Sequence, residues 1–233
     1  MTSTRLPGKV LKTCMGKTMM EIMIERVRRS ETIDEIVIAT TTNKTDDCLE
    51  ELAKELKVGI HRGSENDVVQ RVVDAHRNAG SEIVVQLTGD CPLIDPGIID
   101  VLVRFYRMNQ FDYVGNAVIR SYPIGMDTQV SSFRILERSL ELAETESDHE
   151  HLYATIYKRP EQFRLYHFVG PHELMWPELR ITLDTPQDLQ LICAVYEALY
   201  PMNREFTALD IIRFLKQNPE LVAINQFIPS KGL

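Results

Sequence analysis

Positive charge is the scarcer sign in this chain: 26 lysines and arginines stand against 34 aspartates and glutamates, a net charge of −8. A general nucleic-acid binder needs a dominant basic stripe to neutralise phosphates, so that class of partner is excluded. A small anionic ligand, which needs only a few local cations, remains open. Cysteine is sparse as well. Cys14, Cys48, Cys91 and Cys193 lie far apart, with no CxxC pair and no metal-finger spacing, so free thiols in a cytoplasmic protein are expected. No signal peptide, membrane-spanning run or lipidation motif is visible, and no membrane partner is expected. There is no GxSxG elbow. GxxxxGK[ST] is missing too, because Gly8-Lys9 lacks the upstream glycine, which excludes a P-loop NTPase.

What is present is 233 residues, 44% of them hydrophobic, enough for one α/β domain or such a domain with a small insertion. Residues 18–30 carry an amphipathic helical pattern. Short β-branched runs at Ile33–Thr40, Val58–His61 and Ile83–Leu87 alternate with helical stretches at Asp46–Leu56, Ser64–Asn78 and Pro96–Met108. That rhythm predicts βαβ units and a mostly parallel sheet. After Met108 the pattern becomes α+β, with antiparallel strands expected to elaborate the sheet and strand patterns at Tyr113–Asn116, Gly125–Ser131, Phe163–Val169 and Arg180–Leu183. Helices are expected at Phe133–Thr145, Glu150–Lys158, from Pro186 and over Thr207–Asn218.

Several clusters carry residues with chemistry. Arg5 and Lys9 bracket a Pro7-Gly8 turn after Ser3, a loop able to wrap a polyphosphate or to be an ordinary basic tail. In QLTGDCPLI, Gly89 and Asp90 follow a predicted strand. Ligands of open α/β sheets gather at such carboxyl ends, although an Asx-turn would use the same aspartate. Asp184, in LDTPQDL, is either a helix N-cap or a second carboxylate at that edge, and two such acids suit Mg²⁺ bridging nucleotide phosphates. Ser64, Asp67 and Arg71 offer polar contacts to a base or phosphate, or merely cap a helix. Tyr122, Gly125 and Asp127 surround a tight turn where an acceptor pocket could lie. His149 and His151 sit at i, i+2 and do not share a helical face, which argues against zinc.

Taken together, STRLPGKVL, EIVIATTTN, RGSENDVVQR, TGDCPLID, YPIGMD, SDHEH and LDTPQDL resemble, in that order, the cytidylyltransferases of the spore-coat-polysaccharide type. These are relatives of the acylneuraminate and Kdo cytidylyltransferases that make CMP-linked acidic sugars. The resemblance covers about residues 1–200. It implies a glycosyltransferase-A-like (nucleotide-diphospho-sugar transferase) α/β fold and a single nucleotidyltransferase domain over 1–233, elaborated around 109–170. It also implies transfer of CMP from CTP to an acidic sugar, with release of pyrophosphate, for a surface polysaccharide. Arg5, Lys9 and Asp90 then match catalytic positions. Ser3, Arg5, Lys9, Ser64, Asp67, Arg71 and Gly89 match the nucleotide site, Tyr122, Gly125 and Asp127 the sugar side, and Asp90 and Asp184 the Mg²⁺ ligands.

The resemblance also implies a homodimer built from the segment after Met108, where Phe111, Tyr113, Tyr122, Tyr153 and Tyr157 supply aromatic content. Departures accompany it. Gln86 stands where an arginine is common, Gln129 where a glutamate is common, and no apolar strand precedes Arg5. Such a strand would lie inside the sheet, so the natural protein is expected to start about ten residues upstream of Met1. The alternative is a silent or N-terminally truncated relative kept as a binding or dimerisation partner.

Overall fold

The computed structural model describes residues 3–229; Met1, on which the expectation about the start falls, lies outside them. A short 3₁₀ turn at Lys9–Leu11 follows Gly8, which sits at φ +65°. The hairpin β1 (Thr13–Cys14) and β2 (Lys17–Thr18) leads into α1 (Met19–Val27). Thr18 and Glu21 cap α1 reciprocally, and its Met19, Ile22 and Ile24 face is buried. Then come β3 (Val37–Thr41), α2 (Asp47–Leu56), β4 (Gly59–Gly63), α3 (Val68–Ala79), β5 (Ile83–Gln86) and α4 (Pro96–Met108). The capping-box residue expected at Ser64 is not the cap. Asp67 caps α3, accepting from Gln70 N–H at 2.8 Å, while Ser64 Oγ accepts from Asp67 N–H.

The second half holds β6 (Tyr113–Gly115), β7 (Gln129–Ser132), α5 (Phe133–Glu141), α6 (Glu146–Glu150), α7 (Ala154–Tyr157), β8 (Leu165–His167), α8 (Pro186–Leu199), α9 (Ala208–Gln217) and α10 (Pro219–Val222). The single helix expected over Glu150–Lys158 is instead two pieces. Thr145 and Asp148 cap α6 early, and Tyr153 takes φ +62°, a left-handed residue that ends one helical path before α7 begins. Arg180–Leu183 is not a ladder strand; it makes one bridge, Ile124 with Arg180.

The α/β class holds, with mixed rather than mostly parallel pairing. β3 and β4 pair in parallel. The larger sheet runs β5-β7-β6-β8, in which β7 is antiparallel to both its neighbours and only β6–β8 is parallel. The chain returns from β6 to β7 through a loop rather than a crossover helix, which reverses the strand. Gln86 and Gln129, the two departures noted above, face each other in this register, and Gln129 also accepts from the Tyr113 hydroxyl at 2.8 Å. The main core joins α1, α4, α8 and α9 beneath Leu93, Val130, Ile181 and Leu183.

β3 and β5 belong to separate sheets. Gly59 N–H donates to Ile36 and Thr42 N–H to Gly63, so the even residues of β3 bond toward β4 while Val37 and Ala39 turn their backbone groups away. Phe133 N–H donates to Glu82, which fixes the same alternation in β5: Val84 and Gln86 face β7, and Ile83 and Val85 turn away. A cleft of about 680 Å³ separates those two edges, lined by Val37, Ala39, Ile83 and Val85 and flanked by α1 and α3.

Candidate active site

Asp90 follows β5 on a turn closed by Cys91 N–H to Thr88 C=O, and its own carbonyl accepts from Leu183 N–H at 2.8 Å. That bond ties the Asp90 loop to the segment ending in Asp184. Lys9, delivered by the loop after Gly8, places Nζ 3.0 Å from Asp90 Oδ2 and 2.8 Å from Asp184 Oδ1. Arg5 Nη2 lies 3.0 Å from Asp184 Oδ2. Four residues from distant parts of the chain therefore meet at one point.

Asp184 is not the helix cap. Thr185 caps α8 with Asp188 in a capping box, and Asp184 is left free to face Lys9, Arg5 and Arg180, whose Nη2 donates to it at 2.7 Å. Burial raises the Asp184 carboxyl, but the bond and charge of Lys9, with help from Arg180 and Arg5, outweigh it and hold the group below the ordinary carboxylate range. For Lys9, burial lowers the ammonium, and the two carboxylates together outweigh it and raise it.

Beneath Asp184 lies a support that the sequence did not single out. Asp188 is fully buried and accepts from Arg180 Nε and Nη2, from Asn225 Nδ2 and from the N–H groups of Asp184 and Thr185. The capping-box spacing of Thr185 and Asp188 was a visible signal; the bond from Asn225, 37 residues on, was not.

Other candidates separate from this point. Ser3 Oγ accepts from Leu6 N–H at 3.4 Å. Ser64, Asp67 and Arg71 form their own cluster, in which Arg71 donates to the Ser64 carbonyl and Asp67 stands 2.8 Å from His149 Nδ1. Arg71 and Gly89 both line the cleft. A Cβ on Gly89 would meet the Met20 side chain at 3.4 Å, so no tight backbone approach demands glycine there. Tyr122 is buried against Gly170, where any Cβ would strike its ring, and burial pushes its phenol up to about 12. It packs the loop rather than presenting its ring to a ligand.

Gly125, at φ +109°, lies where a Cβ would fall 2.8 Å from the Ile181 backbone, which presses the 120–127 loop against the segment leading to Asp184. Asp127 pairs with Arg120 Nη1 at 2.8 and 3.1 Å. Burial raises its carboxyl, Arg120 opposes this, and the charge of nearby Asp90 adds to the rise. Among the described residues no group of three or more His, Cys, Asp or Glu side chains is disposed to hold a metal.

Two carboxylate oxygens converging on one cation, Lys9 Nζ, nevertheless form the hard-oxygen pair that Mg²⁺ takes when phosphates and water complete its shell. The donor set of Asp90 and Asp184 fits such an ion. No helix among the described residues is long and apolar enough to cross a membrane.

Comparisons with known proteins bear on the family and the fold. The model of the family described as cytidylyltransferase matches residues 1–217. The spore coat polysaccharide biosynthesis protein SpsF of Bacillus subtilis is 31% identical over 94% of this chain and 92% of its own length. A solved cytidylyltransferase from Leptospira borgpetersenii is 32% identical and superposes with a TM-score of 0.89 over 98% of this chain and 94% of that one. The structure of CMP:2-keto-3-deoxy-manno-octonic acid synthetase complexed with CTP shares the fold at 16% identity, with a TM-score of 0.63 over 84% of this chain and 94% of that one. The chain belongs to the cytidylyltransferase family.

Proposed function

We propose that this protein transfers CMP from CTP to a hydroxyl of an acidic sugar of the nonulosonate or Kdo class, releasing pyrophosphate, for surface polysaccharide synthesis in the cytoplasm. The observation that carries the proposal is the convergence of Lys9 and Arg5 on Asp90 and Asp184 at one sheet edge. Nucleotidyl transfer needs little covalent help from protein; it needs charge neutralisation and in-line positioning.

Lys9 and Arg5 supply cations for the triphosphate. Lys9 and Arg180 keep the Asp184 carboxylate ionised, and Asp188 fixes its direction by holding Arg180 and the Asp184 N–H. Mg²⁺, held by Asp90 and Asp184, would neutralise charge on the phosphates and on the departing pyrophosphate. Lys9 Nζ, 3.0 and 2.8 Å from the two carboxylates, would stand at the same point to pair with triphosphate oxygens. A silent relative would have no use for this set of paired charges, so the enzyme reading is favoured.

A homodimer fits the same reading; of the aromatics named for it, Phe111 lies on an available face and three tyrosines do not. Tyr113, Tyr122 and Tyr153 are buried in the protomer. The face available is the Phe105, Phe111, Tyr166 and Phe168 ring cluster with exposed Met108 and Val169 beside it. Calorimetry with CTP, ATP and GTP, each with and without Mg²⁺, tests the function. Binding of CTP above the others, dependent on the metal, is expected; equal binding of all three would remove the reading.

A further inference from the structure

We propose that Arg120 is the residue that recognises the carboxylate of the sugar acceptor. This rests on the acidic-sugar reading above and assigns it a specific side chain. Arg120 lies one residue before the Ser121–Asp127 turn. Its guanidinium is used on one corner only. Nη1 donates to both oxygens of Asp127, and among the described residues Nε and Nη2 have no protein partner. The side chain is about a third exposed, so the unused N–H groups open to solvent. An Nε/Nη2 edge is the half of the fork that takes a second carboxylate through two parallel bonds.

The loop is rigid enough to hold that edge in place. Ser121 accepts from Gly170 N–H through its hydroxyl and from Trp176 N–H through its carbonyl. Ile124 N–H donates to Leu179, and Ile181 N–H donates back to Ile124. Asn116 clamps Met126 and Thr128 on the far side. Gly125 of this loop backs onto the Ile181–Thr182 backbone, and Thr182 Oγ1 and Leu183 N–H both donate to the Asp90 carbonyl, so the Arg120–Asp127 pair is carried by a loop packed on the segment that joins Asp90 to Asp184. Asp127 balances the guanidinium while leaving its second face free. A purely structural ion pair does not need that free face, whereas a carboxylate receptor does.

The test uses the whole chain with CTP and Mg²⁺ and reads pyrophosphate release. The acceptors are 3-deoxy-manno-octulosonate and N-acetylneuraminate, each beside its carboxamide. Wild-type protein is expected to prefer the acid. In Arg120→Ala, KM for the acid should rise about tenfold to a hundredfold, with KM for the carboxamide and calorimetric CTP affinity unchanged, and Arg120→Lys should recover part of the loss. The pair Arg120→Ala/Asp127→Asn leaves no orphaned charge and should show the same lost discrimination, which guards against a folding defect in the single variant. Equal loss for acid and amide, or a wild-type protein that binds CTP yet prefers neither acid, overturns the assignment. Absence of CTP binding in the wild type would instead sink the cytidylyltransferase reading, and the Arg120 role with it.

Discussion

Asp184 and Asp188 are gripped by Lys9, Arg5, Arg180, Asn225 and two backbone N–H groups, whereas the facing edges of β3 and β5 present backbone groups to an open cleft. Both regions border β5, and the same rule applies to both: a polar group removed from water must find a partner. At the carboxylate junction the rule is met by charge, which fixes the direction of the site acids. Along the cleft, water must meet it, and such an edge opens first when the molecule fluctuates. Rigidity is therefore concentrated where the chemistry lies.

The largest effect that would break the contrast is loss of Asp188. Asp188→Ala leaves the buried Arg180 guanidinium with Asp184 alone and orphans the Asp184, Thr185 and Asn225 donors, and should cost about 3–5 kcal/mol, read as a lower midpoint in urea with an unchanged slope. A loss under about 1 kcal/mol would show that the junction is not the firmer region.

The junction also sets a pH dependence. Burial raises the carboxyls of Asp184 and Asp188, but their cationic and hydrogen-bonding partners outweigh it, and both lie below the ordinary value. A lowered carboxyl contributes stability that is complete above its unfolded pKa, about 4, and is lost as pH falls through the folded value. Acid unfolding of the wild type should steepen below about pH 4, and Asp188→Asn should flatten that limb while leaving the alkaline side unchanged. An identical acid limb in the variant would place the titration elsewhere.

The cleft gives a sharper, smaller signal. Native-state hydrogen exchange should alternate: Val37, Ala39, Ile83 and Val85 amides are expected to exchange about tenfold or more faster than Ile38, Thr40, Val84 and Gln86. Uniform protection would mean that the cleft edges have partners.

Much of this was legible in sequence because local signals carried it. α4 begins at Pro96 behind the Asp95 cap, and α1 at Thr18 with Glu21, where capping chemistry and apolar spacing agree. The meeting of Lys9 with Asp90 and Asp184 followed from the family resemblance, since no local pattern joins residues 81 and 175 apart. The antiparallel strands expected after Met108 are found in β7 against β5 and β6, but which neighbours β7 takes was not legible, because a strand's composition does not encode its partners. Arg120 and Asn225 were missed because an isolated arginine or asparagine carries no periodicity. Tyr122 was drawn to the sugar side by its neighbours, yet Gly170 gives its ring a seat in the core.

The smallest effect separates the two meanings of the LDTPQDL segment. If Asp184 were the cap of α8, Asp184→Asn would be nearly silent, because asparagine caps as well as aspartate. The cap is Thr185, whose hydroxyl accepts from Asp188 N–H, so the two substitutions should part company. Thr185→Ala should cost about 1 kcal/mol of stability and retain the metal-dependent turnover. Asp184→Asn keeps the helix start but removes the charge that Lys9, Arg5 and Arg180 share, and turnover should disappear while the fold persists. Circular dichroism against temperature reads the first variant and pyrophosphate release reads the second. Full turnover in Asp184→Asn would return that residue to a structural role and leave Asp90 as the sole acid at the proposed metal site.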